Sequence, residues 1–127
     1  MEKKIRVLIS DDDPGMRETL SDILSEMGHD VATAGDGFEA IKLAKERPFD
    51  LAFIDIKMPV INGVDTFKEI QKLQPKIKVV MITAFALDEL IDEARRFGAL
   101  DVLFKPLKID NLKTYLNICG AGARSAG

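Results

Sequence analysis

Four short apolar runs in this chain each stop abruptly at a small polar set, and that pattern most restricts what it can fold into. Val7-Leu8-Ile9-Ser10 stops at Asp11-Asp12, and Phe53-Ile54 stops at Asp55. Val79-Val80-Met81-Ile82 stops at Thr83-Ala84, and Val102-Leu103-Phe104 at Lys105-Pro106. Runs this short, nearly continuous and rich in β-branched residues, fit strands buried on both faces. If they are parallel strands of one sheet, their carboxyl ends gather acids, a hydroxyl and an amine at a single crevice.

The segments between the runs carry helical periodicity. Asp13 is placed to cap a helix with Pro14 at its first position, where the missing N–H costs nothing. Met16, Leu20, Ile23, Leu24 and Met27 then recur at helical spacing until Gly28. A second strand is predicted over Val31–Ala34, and a helix after Gly37 that presents Phe38, Ile41 and Ala44 on one face and closes at Arg47-Pro48. Asn62-Gly63 has the composition of a hairpin turn, but no strand-like run follows and Val64, Phe67, Ile70 and Leu73 keep helical period, so the pair lies in a strand-to-helix loop. Leu87, Leu90, Ile91, Ala94 and Phe97 form the next stripe, and Ile109, Leu112, Leu116 and Cys119 the last.

Strands alternating with helices predict a doubly wound α/β domain. Helical crossovers make the sheet parallel and put helices on both faces. Ligands of such sheets bind outside the carboxyl ends of the strands, where the polar sets lie. A chain of 127 residues is expected to form one domain, here over 1–119, with 120–127 a flexible tail, linker or cloning remnant.

Composition narrows the function classes. Apolar residues make up 46% and charged residues 31%, as in ordinary globular proteins. A net charge of −3 opposes a direct nucleic-acid grip. No apolar run approaches the roughly 20 residues of a membrane span. The start, Met1-Glu2-Lys3-Lys4, lacks a secretory pattern, so a cytoplasmic protein is expected. Cys119, the single cysteine, reads as a packing residue, and His29 as a surface histidine.

Asp11, Asp12 and Asp55 would repel one another without a cation between them. An all-oxygen set suits Mg2+, which keeps waters and accepts a phosphoryl oxygen as a ligand. Asp12 and Asp55 are the expected direct ligands, with Asp11 acting through a water. Thr83 and Lys105 would offer an O–H donor and an ammonium to a transferring phosphoryl group that Asp55 accepts. Proline holds the residue before it extended, which aims Lys105 across the crevice; spacing alone gives no reason to expect the uncommon cis isomer.

Ser10-Asp11-Asp12-Asp13-Pro14, Asp55-Ile56-Lys57-Met58-Pro59 with Gly63, Thr83-Ala84 and Lys105-Pro106 resemble the receiver domain of two-component response regulators. The resemblance covers roughly residues 4 to 119. It implies a flavodoxin-like five-stranded sheet in order 2-1-3-4-5. It also implies that Asp55 takes a phosphoryl group from a phosphohistidine on a sensor kinase or phosphotransfer protein, with Mg2+ held by Asp12, Asp55 and the backbone carbonyl of Lys57. Kinase docking near Gly15 and Met16 is implied, as is an output face built from Leu87–Phe97, the fifth strand and Ile109–Cys119. The chain departs from the usual pattern at Val102, three positions before the lysine, where most receivers carry an aromatic residue. Lys57 and Phe85 flank the crevice and are expected to restrict a hydrolytic water, giving a slowly decaying phosphate.

A phosphoryl-accepting signalling domain, catalysing only its own phosphorylation and dephosphorylation, is thus the expected function. It would be free-standing or the excised receiver of a transcriptional regulator. The main alternative is a Mg2+-dependent phosphohydrolase working through an aspartyl phosphate, for which the chain has no room for a substrate-covering cap. A flavodoxin-like cofactor carrier would need a glycine-rich phosphate loop that is absent.

Overall fold

A computed structural model describes residues 4–126. Five strands and five helices alternate: β1 (Arg6–Ser10), α1 (Pro14–Glu26), β2 (Asp30–Ala34), α2 (Gly37–Glu46), β3 (Leu51–Asp55), α3 (Gly63–Leu73), β4 (Lys78–Thr83), α4 (Asp88–Phe97), β5 (Asp101–Phe104) and α5 (Ile109–Ala126). The strands form one parallel sheet in the order β2-β1-β3-β4-β5. This is the doubly wound, flavodoxin-like order. None of the described helices is long and apolar enough to cross a membrane.

Successive strand residues face opposite sides, so each run feeds two cores. Leu8, Ala52, Ile54, Val79, Met81 and Val102 pack with Ala40, Ala44, Val64, Phe67, Ile70, Ile91 and Ala94 from α2, α3 and α4. Val7, Ile9, Leu51, Phe53, Val80 and Ile82 pack with Leu20, Leu24, Leu112, Leu116 and Cys119 from α1 and α5. All five residues of β3 are buried, which is why that strand reads as an unbroken apolar run. Each such Ile, Leu or Phe contributes about 1.5–3 kcal/mol by leaving water. The strand that ends in Asp55 is therefore firmly anchored on both faces.

The predicted cap is in place: Asp13 accepts from the Gly15 and Met16 N–H groups at the head of α1. Asn62, for which the sequence reading named no cap, accepts from Asp65 N at the head of α3. Four expectations need correction. On α2 the buried face is Gly37, Ala40 and Ala44, and Phe38 is exposed. The cause is close packing against the α3 side: a Cβ on Gly37 would lie 2.2 Å from Thr66 Oγ1, so the small residues must face inward and Phe38 turns out. His29 is buried, not a surface residue, because its Nδ1 accepts the Ile5 N–H at 3.1 Å. The last helix continues to Ala126, through part of the stretch read as a loose tail. The Lys105–Pro106 peptide bond is cis.

Candidate metal centre

Asp55 ends β3 and Asp11 follows β1, adjacent strands whose ends lie where the strand order reverses. One carboxylate oxygen from each of Asp11, Asp12 and Asp55 falls within 4.8 Å of the others. Asp11 and Asp55 are buried, and Asp12 is exposed. Lys105, just past β5, brings Nζ to 2.8 Å from Asp11 Oδ2 and 3.0 Å from Asp55 Oδ2. The Asp11 contact is an ion pair without hydrogen-bond alignment, and that oxygen has no other partner among the described residues. Asp55 Oδ1 accepts the Lys57 N–H at 3.1 Å, and Asp11 Oδ1 accepts the Asp13 N–H at 3.0 Å.

Backbone contacts fix this geometry. Ile56 N donates to Ile82 O and Lys105 N to Thr83 O, both at 2.8 Å, so the strand ends stay zipped to the edge of the site. Gly63 N donates to Ile56 O at 2.7 Å, and a Cβ at position 63 would lie 2.0 Å from Asp55 O. Only glycine lets α3 start this close to the acid. Ser10 Oγ donates to Met58 Sδ at 3.3 Å, tying the β3–α3 loop to β1.

Electrostatics follow from burial and from one excess of charge. Burial pushes the Asp55 carboxyl above its ordinary value, and the neighbouring Asp11 charge adds to that. The Lys105 hydrogen bond and the Lys57 N–H oppose the rise without cancelling it. For Lys105, burial favours the neutral amine, but the two carboxylates of Asp11 and Asp55 beside it outweigh that and raise its pKa, so it stays cationic. Three carboxylates thus face one ammonium. An all-oxygen donor set with a surplus of negative charge and an exposed side fits a hard divalent cation that retains water.

The crevice above the acids, about 470 Å³, is lined by Asp12, Asp55, Lys57, Met58, Pro59, Ala84, Phe85 and Lys105. Thr83 is beside it but turned away: its buried hydroxyl donates to Phe85 O and accepts from Phe85 N, each at 3.0 Å. The Lys57 ammonium sits 4.2 Å from the Phe85 ring centroid, a cation–π pair at the mouth. Val102 is buried in the core under α4, and Phe104 is exposed. Gly15 and Met16 lie at the head of α1, the first exposed and the second half-buried. A larger cavity of about 600 Å³, at the opposite end of the sheet, is lined by Phe49, Gln74, Ile77 and Cys119 among others. Burial pushes the Cys119 thiol up to about 11, which makes it a packing group rather than a nucleophile.

One participant escaped the sequence reading. Arg17 donates from Nη1 to the Asp11 carbonyl at 2.7 Å, a contact between a helix residue and a loop carbonyl that no periodicity announces.

Residues 7–117 match the model of the response regulator receiver domain. The transcriptional regulatory protein ZraR of Salmonella typhimurium is 39% identical over 124 residues, which is 98% of this chain but 28% of ZraR. The chain therefore spans less than a third of the length of that relative. The chemotaxis protein CheY of Thermotoga maritima is 39% identical over 113 residues, covering 88% of this chain and 94% of CheY. Among solved structures, the CheX–CheY complex with BeF3 and Mg2+ from Borrelia burgdorferi superposes with a TM-score of 0.79. It is 28% identical and covers 87% of this chain and 84% of that one.

Proposed function

The chain belongs to the response regulator receiver domain family of two-component signalling, and from that premise we propose that Asp55 accepts a phosphoryl group from a phosphohistidine in a Mg2+-dependent reaction. The observation that carries this is Asp55 at a buried strand end, held by Lys105 and facing two further carboxylates. In the transfer, the Asp55 carboxylate oxygen forms a bond to phosphorus as the phosphorus–nitrogen bond of the donor imidazole breaks. The product is an acyl phosphate and a free histidine on the partner.

Asp12, Asp55 and the Lys57 carbonyl would hold the cation, with Asp11 reaching it through a water. When bound, Mg2+ supplies charge neutralisation for the acids and for the incoming phosphoryl oxygens. Lys105, already cationic and placed between Asp11 and Asp55, meets the phosphoryl charge directly. The Thr83 hydroxyl can donate to the phosphoryl group only by giving up its bond to Phe85 O. Phosphorylation is thereby linked to the turn between β4 and α4, and the core residue Val102 supplies no aromatic ring for that step. The donor docks at the head of α1 near Gly15 and Met16, and an output partner reads the face around Leu87–Phe97 and Ile109–Cys119.

The test is labelling with a small phosphodonor, with and without Mg2+, on the parent chain and Asp55→Asn. Stoichiometric labelling of the parent that requires Mg2+ and is lost in Asp55→Asn is expected. Undiminished labelling of the mutant removes Asp55 as acceptor, and multiple turnover of external phosphate esters instead favours a phosphohydrolase.

A further inference from the structure

Asp12 is the one proposed ligand whose carboxylate is held by nothing: among the described residues it makes no hydrogen bond or ion pair, and it is exposed. Its direction is set by the backbone it leaves from. That backbone is the peptide joining Asp11 to Asp12, whose carbonyl belongs to Asp11 and accepts from Arg17 Nη1 at 2.7 Å. Asp11 N is fixed in turn by Ala34 O at 3.1 Å. The guanidinium also lies against the residue after Ala34: a Cβ on Gly35 would be 3.3 Å from Nη1, 3.5 Å from Cζ and 3.8 Å from Nη2. Arg17 thus reaches from α1 to the loop after β1 and rests on the turn after β2.

We propose that Arg17 is a positioning residue for the metal centre: seated against Gly35, it grips the Asp11 carbonyl and so fixes the peptide plane from which Asp12 projects. The inference rests on the reading of these acids as a Mg2+ site. A guanidinium a few residues from two aspartates would ordinarily take a carboxylate bidentately. Here it takes a neutral carbonyl and no carboxylate. Outer partners that orient ligands in this way typically change metal affinity 10- to 100-fold when removed.

The sign of the effect separates positioning from plain charge. A nearby cation repels Mg2+, so if Arg17 acted only through its charge, removing it would tighten binding. If it positions Asp12, removing it weakens binding. Mg2+ affinity is measured on the full chain by amide chemical-shift titration for the parent, Arg17→Met, Gly35→Ala and Asp12→Asn, with urea midpoints recorded separately. Arg17→Met is expected to weaken Mg2+ binding about tenfold, at the low end of that range. Gly35→Ala keeps the charge and alters no ligand. Its backbone is outside the left-handed region, and its new methyl forces the guanidinium to give way by a few tenths of an ångström, so it should weaken binding in the same direction by less.

Equal or tighter Mg2+ binding by Arg17→Met overturns the proposal, as does a lowered urea midpoint with unchanged affinity. Should Arg17→Met fail to fold, Gly35→Ala decides by the same criterion. Parent affinity that is indifferent to Asp12→Asn brings down the metal-site reading itself, a different failure from that of Arg17.

Discussion

At the amino ends of the strands several polar side chains hold backbone. Gln74 accepts from Phe49 N at 2.7 Å and donates to Ala44 O at 2.9 Å and Arg47 O at 2.8 Å. Asp50 accepts from Arg6 N at 2.8 Å, and His29 accepts from Ile5 N. At the carboxyl ends of the same strands, Asp11, Asp12 and Asp55 crowd together, and one ammonium, Lys105, pairs with Asp11 and Asp55. The sheet is common to both ends, so the difference is not one of fold. One end spends its polar groups on stability, whereas the other keeps like charges close together, which costs stability unless a cation offsets them.

The largest effect that could break this contrast is at Asp55. Its carboxyl pKa is raised in the folded state above the ordinary 3.8, so between those two values the native chain binds more protons than the unfolded one. Stability of the metal-free protein therefore falls as pH rises through that window, and at neutral pH the ionised Asp55 is a net burden. Asp55→Asn should be more stable than the parent without metal and should lose that pH dependence, while Lys105 keeps Asp11 as partner. With Mg2+ at about 100 times its Kd, the parent should gain about 2.7 kcal/mol and Asp55→Asn much less. Urea unfolding over pH 4–8, with and without Mg2+, reads both. A metal-free parent more stable than the mutant at neutral pH would place the carboxyl end among the stabilising regions.

At the opposite end, Gln74→Ala should behave in reverse. It strands one N–H and two carbonyls that the amide now satisfies, at a cost of about 2 kcal/mol in urea unfolding. Asp55 labelling by a phosphodonor should be unchanged per folded molecule. A fall in labelling of the folded fraction would mean that the two ends are coupled rather than merely contrasted.

Much of this contrast is written in the chain. The acids, the lysine and the abrupt strand ends are local, and burial of β3 on both faces leaves a continuous apolar run that points straight at Asp55. The strand order came with the family resemblance rather than from periodicity. What escaped depends on partners distant in sequence or on a choice of rotamer. His29 reads as a loop residue until Ile5, 24 residues away, is placed against it. Phe38 fits a helical stripe until Gly37 is pressed onto Thr66. The Thr83 hydroxyl is in the expected place, yet it points to Phe85, a choice between two acceptors that the sequence leaves open.

The smallest effect concerns that same corner, where the exposed Phe85 ring and the Lys57 ammonium close over the mouth of the crevice. A water that hydrolyses an acyl phosphate on Asp55 must approach from the crevice, because β3 is buried on both faces and Gly63 packs against the Asp55 carbonyl. An exposed cation–π pair is worth about 0.5–1 kcal/mol, which as a barrier is about two- to fivefold in rate. Phe85→Ala and Lys57→Ala should each speed decay of the labelled protein by that factor. The double variant should add little, because either truncation already breaks the pair. Lys57→Ala leaves its N–H bond to Asp55 intact, so the labelling yield should hold while the lifetime shortens. Decay that neither substitution changes would show that the crevice mouth is open to water as it stands, and that its lifetime is set by the acids and Lys105 alone.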